Sequence, residues 1–124
     1  VKMKRKVFTV GFVVVMLVAL LYSTAFAGVA DVYLRNSKGP VYSNQISGNK
    51  SANYWLNVTS GNSTTATAQY KSGNGWKSGG ATTLSAGNSA GGQKGTADNN
   101  ASLWRLRLSS SGSSVAAGTI TSPV

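Results

Sequence analysis

Two arginines that stand two positions apart, Arg105 and Arg107, are the residues of this sequence best suited to binding carboxylate or phosphate groups. They lie in the segment SLWRLRLS, where apolar and polar residues alternate. Because successive side chains of a strand point to opposite faces, both arginines are expected to face solvent, opposite a buried set formed by Trp104, Leu106 and Leu108. Lys71 or Arg35 from neighbouring strands could extend the pair into a basic stripe. The alternative is a solvated face that only keeps the protein soluble.

Two tryptophans are the next candidates for a binding surface. Alternation places Trp55 on the outward side of its strand, and Trp76 follows Ser-Gly-Asn-Gly at the expected end of a hairpin. An exposed indole flanked by amides and hydroxyls can stack on the C–H face of a sugar, so both are candidates for carbohydrate binding. The alternative is that each indole covers a strand edge or a loop, because large aromatics dominate burial in a protein with few aliphatic residues.

The residue types that are missing exclude most enzymatic chemistry. The sequence has no Cys and no His, so thiolate or imidazole metal sites, disulfides and Ser-His-Asp or Cys-His catalysis are excluded. Asp31 and Asp98 are the only acidic residues, and they lie in different segments. Ser47 and Lys50 match the spacing S-x-x-K, but they lie in a polar turn without the partner motifs of that family. We therefore predict a protein that is not an enzyme and needs no metal or cofactor.

The elements that would position these residues are predicted to be strands. Period-two alternation recurs and no segment shows helical spacing, so we predict an all-β fold, a small antiparallel β-sandwich of about seven short strands. Tyr42 and Ile46 are expected on the same side of a short run. Residues 86–101 have no large apolar side chain and are predicted to form a mobile loop. Alternation predicts that Ala52, Tyr54, Leu56, Val58, Trp104, Leu106 and Leu108 face inward. It also places Ala30, Val32 and Leu34 on one face of the first strand, and Ala66, Ala68 and Tyr70 on one face of a later strand.

The beginning of the sequence has the three parts of a secretory signal peptide. A basic start at residues 2–6 is followed by an apolar run at 7–21 and by Ala25-Phe26-Ala27. We predict cleavage after Ala27, which leaves a domain of residues 28–124, secreted and without a stable membrane anchor. A single membrane anchor is the alternative, but the apolar run falls short of the roughly 20 residues that span a bilayer. The lack of Cys suits a bacterial exterior.

The net charge indicates which class of ligand the protein is expected to bind. The sequence has 12 Lys and Arg against 2 Asp and Glu, a net charge of +10. Four of the basic residues lie in the predicted signal, so eight basic and two acidic residues remain, a net charge of +6. We therefore expect a secreted, basic protein that binds an anionic cell-wall polymer or polysaccharide at a cell surface, a property that an antimicrobial protein would share. Nucleic acid is not expected, because export separates the protein from most of it.

The alternative is a self-assembling structural subunit of an extracellular matrix, fibre or coat. Residues 64–68 and 115–121 are poor in charge, and such segments could pair edge to edge with a second copy. The sequence does not determine the oligomeric state.

Overall fold

The computed structural model describes residues 26–48, 50–98 and 103–123. This part of the chain contains nine strands and no helix: β1 Phe26–Ser37, β2 Val41–Tyr42, β3 Ile46–Ser47, β4 Ser51–Gly61, β5 Thr64–Ser72, β6 Gly75–Leu84, β7 Asn88–Thr96, β8 Leu103–Ser110 and β9 Ser114–Pro123. They form a four-stranded sheet in the order β1-β9-β4-β7 and a five-stranded sheet in the order β2-β8-β5-β6, with β3 also paired to β8. Every pairing is antiparallel.

The two sheets pack face to face around one hydrophobic core, which confirms the predicted antiparallel β-sandwich. The alternating pattern of β1, β4, β5 and β8 decides which residues enter the core, because one face of each sheet is buried and the other is exposed to solvent. The residues that alternation predicts to face inward are all buried, namely Ala52, Tyr54, Leu56, Val58, Trp104, Leu106 and Leu108. The two sets that it placed on one face of their strands are buried as well, namely Ala30, Val32, Leu34, Ala66, Ala68 and Tyr70.

The prediction of a mobile loop over residues 86–101 is wrong for most of that segment, because Asn88–Thr96 is strand β7 and pairs with β4. Gly95 is the buried residue of this edge strand, and it lies so close to the opposite sheet that a Cβ there would be 2.9 Å from the Cβ of Ala68. The large side chain that fills the core at this point comes from β8, since the same added Cβ would lie 3.1 Å from Cζ3 of Trp104. A strand can therefore pair at this edge without large apolar residues of its own.

The expected run from Val41 to Ile46 is also wrong, because it is split into the two-residue strands β2 and β3. Ser43 between them is buried, and its hydroxyl accepts a hydrogen bond from the Leu106 N–H at 2.8 Å while its own N–H donates to the Leu106 carbonyl. This exchange interrupts the alternation, so Ile46 enters the core and Tyr42 stays 45% exposed. With β2 and β3 separate and β7 added, the strands number nine instead of about seven.

The segments suspected of pairing edge to edge lie inside the sheets. Residues 64–68 belong to β5, which lies between β8 and β6, and residues 115–121 belong to β9, which lies between β1 and β4. Their backbone hydrogen bonds are already used on both sides. The expectation that these segments join two copies is therefore wrong.

The indole of Trp104 lies deep in the core, in space that glycines leave open. It is 0% exposed, and its ring centroid lies 5.5 Å from that of Tyr70. A Cβ on Gly79 or Gly95 would lie 2.9 Å or 3.1 Å from Cζ3 of the indole, and a Cβ on Gly48 would collide with Cδ1. The indole of Trp104 thus fills core volume that the glycines of the neighbouring strands leave empty.

Two turns meet at one end of the sandwich and tie the sheets together through Ser114, which is 1% exposed. The Ser114 hydroxyl donates to the Asn62 carbonyl at 2.7 Å and accepts from the Asn62 N–H at 2.9 Å. The Ser110 hydroxyl lies 2.8 Å from the Ser114 hydroxyl oxygen. Gly61, which leads into this turn with φ of 97°, lies against the Ser113 backbone. The turn between β4 and β5 is therefore fixed to the turn between β8 and β9.

The predicted signal peptide of residues 1–27 lies outside the described residues except for Phe26 and Ala27, which begin β1. The cleavage site and the domain boundary at residue 28 stay predictions. Within the residues that the structure describes, we find no helix long and apolar enough to cross a membrane.

Candidate binding surface

The outer face of the five-stranded sheet brings together four of the six residues that the sequence singled out. In β8, burial of Trp104, Leu106 and Leu108 turns Arg105 and Arg107 outward. Register then sets their neighbours, because Arg105 is opposite Gln69 of β5, and Arg107 is opposite Tyr42 of β2. We call the following six residues the basic face: Tyr42, Gln69, Lys71, Trp76, Arg105 and Arg107.

Arg105 is held from several sides. Its Cζ lies 4.1 Å from the ring centroid of Tyr42 and 4.2 Å from that of Trp76, which come from strands on opposite sides of the β8–β5 pair. Its Nε donates a hydrogen bond of 2.8 Å to Oε1 of Gln69. Cation–π attraction and the hydrogen bond restrict both the position and the plane of the guanidinium. Arg105 is therefore a half-buried cation with a fixed orientation.

The hairpin of β5 and β6 supplies the far side of the basic face. Lys71 and Trp76 are register partners next to the turn, where Ser72 pairs with Gly75. Because directly opposite side chains of an antiparallel pair lie on the same face, Lys71 Nζ comes within 5.3 Å of the Trp76 ring centroid. Trp76 thus contacts two cations, Lys71 and Arg105, and is half-buried beside them.

Arg107 is held less firmly than Arg105. Its Nη1 donates a hydrogen bond of 3.3 Å to the Ser109 hydroxyl, two residues along the same strand. The structure gives it no ring contact with the described aromatic residues. The two arginines share one face, but the guanidinium of Arg105 is restrained by more contacts than that of Arg107. They are therefore a matched pair for mutational experiments.

Neither acidic residue of the sequence pairs with a cation of the basic face. Asp31 is on β1 of the other sheet, where its Oδ1 accepts a hydrogen bond of 2.7 Å from the Thr119 hydroxyl. Asp98 lies 3.9 Å from Nζ of Lys77, in an exposed ion pair beyond the end of β7. The three cations of the basic face therefore have no carboxylate partner among the described residues, and their field is open to a ligand.

The other two candidates of the sequence, Trp55 and Arg35, lie on the four-stranded sheet. Trp55 of β4 is half-buried and packs over β7, because a Cβ added to Gly91 would lie 3.0 Å from its Cδ1. Arg35 of β1 lies with its Cζ 5.4 Å from the ring centroid of Tyr33. The expectation that Arg35 could extend the arginine stripe is wrong, because β1 belongs to the other sheet, whereas Lys71 does share the face of Arg105 and Arg107.

Two members of the basic face, Tyr42 and Gln69, were not predicted as site residues. Alternation between Ala68 and Tyr70 already indicates that Gln69 points outward. Its meeting with Arg105 depends on the pairing of β5 with β8, which no short-range pattern reveals. Tyr42 was expected on the same side as Ile46, because the break at Ser43 was not recognised.

Neither motif weighed for catalysis is part of the basic face. Ser47 ends β3 and is exposed, as is Lys50, and Asn49 between them is outside the described residues. Asp31 and Asp98 each have a partner of their own.

Comparison with known proteins shows the fold alone. No protein-family model matches the chain, and neither does any curated protein. The chain is similar to the crystal structure of PirA, with 18% identity over 74% of this chain and 90% of that chain and a TM-score of 0.53. It is also similar to the Yersinia pseudotuberculosis-derived mitogen, with 11% identity over 78% of this chain and 85% of that chain and a TM-score of 0.50. These likenesses identify the chain as a small β protein of the same general architecture.

Proposed function

We propose that this chain is a secreted, non-enzymatic protein that binds an acidic polymer at a bacterial cell surface through the basic face. The observation that carries the proposal is the fixed guanidinium of Arg105, held 4.1 Å from Tyr42 and 4.2 Å from Trp76. An arginine held only for stability would more usually pair with a carboxylate, and none of the described residues provides one here.

The spacing of the cations favours a polymer over a single small anion. Residues two apart in a strand lie about 7 Å from each other on the same face, and neighbouring strands lie about 4.8 Å apart. Arg107, Arg105 and Lys71 therefore form a diagonal line of positive charges across β8 and β5. Mutual repulsion along this line would be relieved by a ligand that carries negative charges at a similar interval.

Export and the lack of catalysis rest on the sequence. The signal-like segment at residues 1–27 supports a cell-surface location, and the lack of Cys and His supports binding instead of catalysis. An antimicrobial effect would be a consequence of such binding, and a growth-inhibition plate with the purified chain distinguishes killing from adhesion.

We expect the double change Arg105→Ser, Arg107→Ser to weaken binding to isolated bacterial cell wall by about tenfold or more, since a hydrogen bond to a charged group contributes about 1.5–3 kcal/mol. A pull-down at low and high salt measures this loss, and the salt dependence should also flatten because fewer charges take part. The matched control is Lys50→Ser, Lys94→Ser, which removes the same charge from two exposed residues outside the basic face. Equal losses in both variants would contradict the proposal, because only net charge would then matter.

Folding of the double variant must be measured alongside. The sequence alone predicts a nearly neutral change, since surface substitutions usually stay within roughly ±0.5 kcal/mol. The two ring contacts of Arg105 raise the expected cost to about 1–2 kcal/mol, at about 0.5–1 kcal/mol for each cation–π contact. The variant should therefore remain folded at room temperature, with an unchanged circular dichroism spectrum.

A further inference from the structure

We infer that the basic face recognises carboxylates, and that its polymer is a chain of sugar acids, a polyuronate; this inference rests on the proposed function. The orientation of the Arg105 guanidinium supports this inference. Nε of Arg105 is already bonded to Gln69, while its two terminal amino groups have no acceptor among the described residues. These amino groups present parallel N–H donors, the arrangement that binds both oxygens of a carboxylate at once.

The fixed orientation of Arg105 favours a planar anion. Ordering a flexible arginine on binding costs side-chain entropy, and the rings of Tyr42 and Trp76 have already ordered this one. A planar carboxylate gains most from a fork held in one plane. A phosphate also accepts two parallel N–H donors, so a polyphosphate probe is needed to decide between the two anions.

The rings themselves favour a sugar over a nucleic acid. Proteins that bind single-stranded nucleic acid stack bases on open aromatic faces. Here the guanidinium of Arg105 covers one face of Tyr42 and one face of Trp76, and Lys71 also lies against Trp76. The exposed part of Tyr42 lies beside the donors, and it can contact the C–H surface of a sugar ring while the carboxylate of that sugar binds Arg105.

The test uses the purified full chain with polygalacturonate as the probe, and its methyl ester as the control polymer that keeps the sugar chain and removes the charge. We expect the ester to bind at least about tenfold more weakly, as the loss of a charged hydrogen-bonded pair implies. We expect Arg105→Lys to lose about tenfold in affinity and Arg107→Lys to stay within about threefold, because only Arg105 is held as a fork. Both variants keep the net charge, so their salt dependence should match that of the unchanged chain.

A second variant tests the same contact without changing Arg105, so that a folding defect of Arg105→Lys does not decide the result. Gln69→Leu keeps the charge of Arg105 and removes the hydrogen bond that sets its plane, so affinity for polygalacturonate should fall although the charge stays. Unchanged binding by Arg105→Lys or by Gln69→Leu would overturn the inference. Tighter binding of inorganic polyphosphate or a single-stranded DNA oligomer than of polygalacturonate would overturn the carboxylate assignment and leave the proposed function standing. If the chain binds neither these acidic polymers nor cell wall, the proposed function fails as well.

Discussion

Replacing Trp104 with alanine is expected to lower the free energy of unfolding by about 3–5 kcal/mol, the usual cost of removing a buried large aromatic side chain. The indole is 0% exposed and packs on Tyr70 at 5.5 Å. Small domains have only about 5–15 kcal/mol in total, so this one change should remove much of the stability. Urea denaturation followed by far-ultraviolet circular dichroism measures the loss.

A double-mutant cycle tests whether the neighbouring glycines exist to admit the indole. Gly79→Ala should destabilise the unchanged protein, because its Cβ would lie 2.9 Å from two carbon atoms of the Trp104 ring. In a Trp104→Leu background the same change should cost less, since the shorter side chain removes the contacts with the ring and leaves only the 2.9 Å contact with the Thr96 carbonyl oxygen. Equal costs in both backgrounds would contradict this account of the core.

The matched control for Trp104→Ala is Trp55→Ala, which removes a half-buried indole from the outer face of the other sheet. It should cost clearly less stability than Trp104→Ala.

The second large effect is expected at Gly61. Gly61→Ala should cost about 2–5 kcal/mol, from the strain of a side chain at positive φ, about 1–2 kcal/mol, and from overpacking, about 1–3 kcal/mol. Its φ is 97°, and a Cβ there would collide with the Ser113 carbonyl oxygen. Because that turn carries the hydrogen bonds of Ser114 to Asn62, the contact between the two turns should open. Thermal and urea unfolding measure the change.

Gly87→Ala separates the two causes. Gly87 also has a positive φ, 87°, but an added Cβ would meet no atom within 4 Å. Only the backbone strain remains, so the cost should be about 1–2 kcal/mol. If the two glycine variants lose the same stability, the close approach to Ser113 contributes nothing and the predicted role of the turn contact is wrong.

Most of the fold was predictable because alternation acts locally. In β4 and β8 the pattern identifies every buried residue, since one face of each sheet must be apolar. Strand β7 was missed because its contribution to the core is the room that Gly95 leaves for Trp104. The apolar pattern of a strand shows which of its own side chains can be buried. It does not show where the strand leaves space for a side chain of another strand.

The candidate surface was predictable to a lesser degree. Alternation indicates the outward direction of Arg105 and Arg107, and the strand pairing, which the sequence pattern does not reveal, decides what surrounds them. Pairing separates Arg35 from the arginines by placing it on the other sheet, and brings Gln69 to Arg105 across 36 residues of sequence. The position of Tyr42 depends on a single hydroxyl, that of Ser43, which interrupts the run before Ile46.

The four strands that supply the basic face have a thermodynamic consequence. Tyr42, Lys71, Trp76 and Arg105 belong to β2, β5, β6 and β8, so their arrangement exists only while the five-stranded sheet is intact. A polymer that binds this arrangement and not the unfolded chain raises the unfolding free energy by mass action, about 2.7 kcal/mol at a ligand concentration one hundred times Kd. For a domain with so few aliphatic residues, occupancy of this surface would thus add a substantial share to a total stability of about 5–15 kcal/mol.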